Sequence, residues 1–228
     1  MKTPLFRRLN AALVLAAAFG CSPPKYAQYE SVRQDFSASV PWGWQVMTDQ
    51  QGDAFTQVNF IGPFDPDFYL GAPSLSVRWY KRYSPHRLRD GRLEMYGGVD
   101  DFINQNLKEV YGPTYFFVDP NDKPADGPSE VALKNSGLKA KYFTVLSATP
   151  APESMHWGVT LQSGTGKPHI LRKHAYALVP VEGGFYVLCY PATQKGYDRY
   201  LDRFLGLMGS FSPRTAGPGG AKIRPGTS

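Results

Sequence analysis

An α+β fold, a mainly antiparallel sheet flanked by helices, is what the sequence predicts, and three observations predict it. Runs with period-2 alternation of apolar and polar residues follow one another through most of the chain, which is the pattern of β-strands. Two segments switch to the 3.6-residue period of an amphipathic helix, from Val99 to Tyr111 and from Tyr197 to Met208. The links between strands are too short for helical crossovers, so neighbouring strands are expected to run antiparallel, with the helices added outside the sheet.

The most informative stretch is Ala175 to Pro213. Ala175 to Val179 and Phe185 to Tyr190 are apolar runs around Glu182-Gly183-Gly184, and the glycine pair supplies the positive φ of a tight hairpin. In the second run Phe185, Val187 and Cys189 share one face while Tyr186, Leu188 and Tyr190 share the other, as in a strand covered on both sides. Tyr197, Tyr200, Leu201, Phe204, Leu205 and Met208 then form one helical face that must lie on the sheet.

Taken in order, Asp35 to Val40 reads as a strand, followed by a turn at Pro41-Trp42-Gly43-Trp44 whose tryptophans wedge the corner before a second short strand. Ala54 to Ile61 and Ser74 to Tyr80 are strands, the latter with Ser74, Ser76 and Arg78 on a wet face. The helix from Val99 opens with Asp100 and Asp101, favourable to its dipole, and stops at Gly112-Pro113. Thr114 to Val118, Gly137 to Ser147, Trp157 to Leu161 and Ile170 to Val181 complete the strands, and Asp119 to Pro128 has the Pro, Gly and Asp content of a loop. The chain of 228 residues is 42% hydrophobic with 14 Tyr and 14 Phe, enough for one sheet-centred domain without disulfide staples.

The expected organisation is a signal peptide at 1–20, a tether at 21–30, one α+β domain at 31–213 and a disordered tail at 214–228. Met1 to Arg8 is cationic and Ala11 to Phe19 is apolar but too short to span a bilayer. Gly20-Cys21 with Ala18-Phe19 before it resembles the bacterial lipobox, although Ala18 stands where Leu is usual and Phe19 is bulky. The resemblance implies diacylglycerol on Cys21 and a tethered lipoprotein. Ser22 is similar to an outer-membrane sorting signal, which places the expected site at the periplasmic face of that membrane. An ordinary secretory signal with an incidental Cys21 is the alternative. The formal charge of +6 resides in Lys2, Arg7 and Arg8 at one end and Arg214, Lys222 and Arg224 at the other, leaving 21–213 neutral. Net charge therefore gives no argument for nucleic acid.

Three pieces in order, Phe36-x-x-x-Val40-Pro41-x-Gly43-Trp44, Gly137-Leu-Lys-Ala140-x-Tyr142 and Gly184-Phe-Tyr-Val-Leu-x-Tyr190 followed by a helix and Ser210-Phe211, resemble the Mog/PsbP-like superfamily, including bacterial lipoproteins with such domains. The resemblance spans residues 31–213. It implies an α/β/α sandwich and a binding or assembly role rather than an enzymatic one. No functional residue of the family has a counterpart to carry over.

Sites of chemistry are few. Cys189, in the middle of an apolar strand, is expected to be packing; a catalytic thiol would need a histidine base. Gly164-Thr-Gly-Lys167 lacks the hydroxyl residue and the first glycine of a phosphate loop. Glu153, His156 and His174 are weak metal candidates, since His169 and His174 fall on opposite faces of a strand. Asp65 and Asp67 are explained by a proline turn. Arg78, Lys81, Arg82, Arg87, Arg89 and Arg92, interleaved with Trp79, Tyr80, Tyr83 and His86 and opposed only by Asp90, form a basic stretch that could contact an anionic membrane surface. These observations favour a lipid-anchored, non-catalytic envelope module that binds a protein partner, with no cofactor. A carrier of a small apolar ligand in an aromatic-lined pocket is the second reading, and an envelope hydrolase or metal enzyme the third.

Overall fold

The computed structural model describes residues 24–68, 71–87, 91–112, 115–150 and 169–214. The signal segment with Cys21, the tail beyond Arg214, the expected strand at Trp157 and the Gly164 turn lie outside the described residues. Strands β1 (Tyr26–Glu30), β2 (Phe36–Pro41), β3 (Gln45–Gln51), β4 (Phe55–Ile61), β5 (Ser74–Lys81), β6 (His86–Arg87) and β7 (Leu93–Glu94) precede helix α1 (Val99–Tyr111). After it come β8 (Tyr115–Val118), β9 (Ser129–Ala132), β10 (Lys139–Pro150), β11 (His169–Val181), β12 (Gly184–Thr193), helix α2 (Tyr197–Ser210) and β13 (Ser212–Pro213).

The main sheet has eight strands in the order β3-β4-β5-β12-β11-β10-β8, with β9 also on β10, and every pairing is antiparallel. The fold class is thus the expected α+β arrangement. The hairpin between β11 and β12 closes with Val181 opposite Gly184, and Gly183 at φ 77 supplies the left-handed residue of its turn.

Alternation then sorts the side chains. Leu75, Val77, Trp79, Ala175, Ala177, Tyr186, Leu188 and Tyr190 pack with Tyr197, Phe204 and Leu207 of α2 in one core. Phe143, Val145, Leu178, Phe185 and Val187 pack with Phe102, Ile103, Leu107 and Tyr111 of α1 in the other. β12 is therefore covered on both faces, as its unbroken apolar run requires. The Ser210-Phe211 end of α2 locks the first layer, because Ser210 Oγ accepts the Ser39 N–H at 2.8 Å and Phe211 fills the space between Phe36 and Tyr186, with ring centroids 5.4 and 5.2 Å away.

Some elements differ from the sequence reading. Tyr26–Glu30, within the expected tether, is a strand paired with β2, held because Tyr29 meets the Phe60 ring edge-on at 5.0 Å. With β13 it forms a small three-stranded sheet. Its polar alternation hid it. Of the two corner tryptophans, Trp44 packs on Tyr200 at 5.8 Å, whereas Trp42 is exposed. The short strands β6, β7 and β9 carry too few apolar residues to register as period-2 runs.

Candidate ligand cleft

Helix α1 begins where Asp101 accepts the Gly97 N–H at 2.8 Å, and it ends at Gly112, whose N–H closes on the Lys108 carbonyl at 2.9 Å. Its apolar stripe covers β10, β11 and β12. On the same face of the sheet the side chains of β3, β4 and β5 change character, to Gln57 and Asn59, then Ser74, Ser76 and Arg78. A cleft of about 470 Å³ opens there, bounded by these residues, by Asn106 and Val110 of α1, by Ala72 of the loop before β5, and by Arg172, His174, Tyr176 and Cys189 of the central strands. A second cleft of about 400 Å³ continues past Arg78 toward His86, Arg87, Arg92 and Glu94. Of three long connections among the described residues, 62–73 and 82–97 border the cleft system, through Ala72 and through His86, Arg87, Arg92 and Glu94. The third, 119–130, lies on the opposite face, where Asp122 pairs with Lys173 at 2.6 Å beside the Tyr197 ring.

Two guanidiniums and no carboxylate line the first cleft. Arg172 lies over the Tyr111 ring at 4.9 Å and donates to the Val110 carbonyl at 3.2 Å. Arg78 forms no ion pair with a carboxylate among the described residues. Three buried polar atoms here, Ser76 Oγ, Arg78 Nε and Arg172 Nε, have no hydrogen-bond partner among the described groups. Ser76 is itself 3% exposed, and such orphans are uncommon in native interiors.

Beneath the guanidiniums runs a buried hydrogen-bond chain. Tyr111 Oη sits 2.5 Å from His174 Nδ1 and 2.5 Å from Tyr176 Oη. Burial, then the charges of Arg172 and Arg78, push the His174 pKa down to about 3, so the imidazole is neutral and Nδ1 can accept the Tyr111 proton. Burial pushes the Cys189 thiol up to about 11, against the smaller pull of Arg78 and Tyr176. Neither side chain is poised for acid–base or nucleophilic work near neutral pH. Farther along, burial of Glu94 is outweighed by hydrogen bonds from His86 and Tyr96, which hold its carboxylate below the usual range. His86 Nε2 is 3.3 Å from that carboxylate and stacks on Phe55 at 4.7 Å.

The residues singled out in the sequence are scattered by this geometry. Arg78 and Lys81, three apart on β5, point to opposite faces, because side chains alternate along a strand. Arg78 therefore sits in the cleft rather than in an exposed basic surface. Lys81 and Arg82 are exposed, and Arg82 borders a separate groove with Asp100, Asp101 and Glu130. Arg87 takes its N–H to Gln51 Oε1 at 2.8 Å, and Arg92 pairs with Glu109. Arg89, Glu153 and His156 lie outside the described residues, as does Cys21. His174 is buried in the chain just described, and among the described residues no three His, Cys, Asp or Glu side chains gather as a metal site would require.

Asp65 and Asp67, read as turn residues, both bind Arg199 of α2, at 2.5 and 2.7 Å, and so pin the loop before β5. Many of the aromatic side chains pack into the two cores, and two of them, Trp79 and Tyr186, also border a small cavity of about 140 Å³ with Leu138, Pro180 and Val181. Neither Arg172 nor Asn106 stands out in the sequence by itself, and Ser76 does so only as a residue of a strand's wet face. The available signal was a polar pair at i and i+2 in several strands, Gln57/Asn59, Ser76/Arg78 and Arg172/His174, which only the pairing order brings onto one face.

No family model and no curated protein sequence matches the chain. Among solved structures it is similar to the solution structure of cyanobacterial PsbP (CyanoP) from Synechocystis sp. PCC 6803, at 12% identity and a TM-score of 0.48, covering 86% of this chain and 96% of that one. It is also similar to the Saccharomyces cerevisiae Ran-binding protein Mog1p, at 12% identity and a TM-score of 0.43, covering 82% and 95%.

Proposed function

We propose that the protein is a non-catalytic binding module of the cell envelope, tethered through Cys21, whose ligand enters the cleft between α1 and the β3–β5 end of the sheet. One observation carries this reading: the cleft concentrates buried polar groups without partners, yet its histidine and thiol are held in their neutral forms. Such a lining binds well and catalyses poorly. The exported address is supported by the cationic and apolar segments before Cys21. A protein partner in the envelope would meet the rim of the same cleft, where Met47 and Val110 are exposed.

Two measurements test the proposal. Cys21→Ala should move the chain from the membrane fraction to the soluble fraction, and retention in the membrane would remove the anchor from the account. Native mass spectrometry of gently purified full-length chain should find a small molecule that is recovered chemically unchanged after prolonged incubation. Conversion of that molecule by the protein would replace the binding reading with an enzymatic one.

A further inference from the structure

We propose that the cleft's ligand is a small organic oxyanion, a carboxylate or phosphate on a short apolar body, held between Arg78 and Arg172 with Ser76 as a third donor. The proposal rests on the binding reading above and assigns its ligand class. A guanidinium taken out of water is costly unless charge and hydrogen bonds replace its hydration. In this protein the other cation deep in the sheet follows that rule: Lys173, 3% exposed, meets Asp122 at 2.6 Å. Arg78 follows it only in part: it has a hydrogen bond with the Tyr80 hydroxyl and feels Glu94 without forming an ion pair, and its Nε is left without a partner, while Arg172 keeps a carbonyl and an aromatic face.

The lining supplies no acid, and His174 between the two arginines stays neutral, so the local charge is positive. Planar guanidiniums present paired donors that match the two oxygens of a carboxylate or phosphate. Ser76 Oγ, buried in the same wall and without a partner, can donate as a hydroxyl. Met47, Ile61, Val110 and Pro191 form the remaining, apolar wall. The volume of about 470 Å³ falls in the range of small-molecule sites, not macromolecular ones. The second cleft shares Arg78 but adds Arg87 and Arg92 together with Glu94, Glu109 and Asp49, so the acid-free first cleft is the one assigned to the anion.

Isothermal titration of the full-length chain with hexanoate, hexyl phosphate and the neutral analogue hexanol tests the assignment. Saturable binding of at least one anion, with hexanol much weaker, is expected. Arg78→Met and Arg172→Gln should each weaken that binding by about tenfold or more, with circular dichroism unchanged. Ser76→Ala serves as a milder variant should either arginine variant misfold, with a smaller loss. Competition by phosphatidylglycerol vesicles and not by phosphatidylcholine vesicles would identify a lipid headgroup as the source of the oxyanion; no competition by either would identify a free metabolite. Equal binding of hexanol and hexanoate overturns the anion assignment while leaving a binding cleft. Anion binding unaffected by both arginine variants, or no anion binding up to about 10 mM, also overturns it.

Discussion

Mild acid should destabilise this protein through His174, and the effect can be isolated. The imidazole is 4% exposed, is hydrogen-bonded at Nδ1 to Tyr111, and stands near Arg172 and Arg78, with Tyr176 and Cys189 as its neutral neighbours. Its folded pKa of about 3 lies below the ordinary 6.5, so between those values the unfolded chain binds a proton that the folded chain refuses. Stability therefore rises with pH across the window and is lost as pH falls from 6.5 toward 3. Each pH unit below 6.5 is worth about 1.4 kcal/mol, so lowering the pH to about 5 removes roughly 2 kcal/mol. Burial raises the pKa values of Tyr176 and Cys189, so both stay protonated throughout and add nothing. Urea denaturation at about pH 7.5 and about pH 5, on the wild type and on His174→Gln, makes the comparison. The glutamine keeps an acceptor for Tyr111, and carboxylates elsewhere titrate alike in both chains. The wild type should lose about 2 kcal/mol more than the variant. Equal losses would refute a buried, neutral His174.

Three further outcomes follow from packing and charge. Gly184→Ala places a Cβ 2.2 Å from the Tyr80 carbonyl oxygen and 2.4 Å from the Trp79 ring, so β5 and β12 must separate; a loss of about 1–3 kcal/mol or more is expected, read as a fall in Tm of about 2–4 °C per kcal/mol. Phe211→Ala empties a fully buried site between Phe36 and Tyr186 and should cost about 3–5 kcal/mol in chemical denaturation. Asp122→Ala leaves the Lys173 ammonium buried without its carboxylate and should destabilise by about 1–3 kcal/mol, whereas Lys173→Met, which removes the buried charge along with its contact to the Tyr197 ring, should be close to neutral; thermal melts of the two variants that came out alike would contradict this account of the pair.

How much of this was legible in the sequence depended on whether the deciding contacts were local. β12 and α1 announce themselves because their periods reflect what lies on each of their own faces, and Gly183 and Gly112 mark the chain reversals. β1 did not, since Tyr26 to Glu30 becomes a strand only through pairing with β2 and the contact of Tyr29 with Phe60, thirty-one positions away. The cleft was harder still. Arg78 was visible as a polar residue on the wet face of a strand, but its neighbours Gln57, Arg172 and Asn106 belong to β4, β11 and α1. Clustering by sequence joined Arg78 to Lys81, Arg82, Arg87, Arg89 and Arg92, whereas strand alternation turns Arg78 away from Lys81 and onto the face where Arg172 waits.

The two faces of the sheet explain why a site belongs on one of them. On the α2 face Phe204, Leu207 and Phe211 are fully buried, the cavity beside Trp79 and Tyr186 is only about 140 Å³, and Lys173, the charged strand residue buried there among the described residues, has its carboxylate supplied by the 119–130 loop. On the α1 face the helix spans only the β10–β12 side. Beyond it, Arg78 emerges from the middle of a strand whose opposite face, Val77 and Trp79, is core. An arginine at such a position adds nothing to packing that a methionine would not supply, and its desolvation opposes folding. Glu94 of the adjoining cleft acts on Arg78 without forming an ion pair; a closer counter-charge brought by a ligand would offset the remaining desolvation, and would couple occupancy of the cleft to the stability of the β5–β12 pairing at the centre of the sheet.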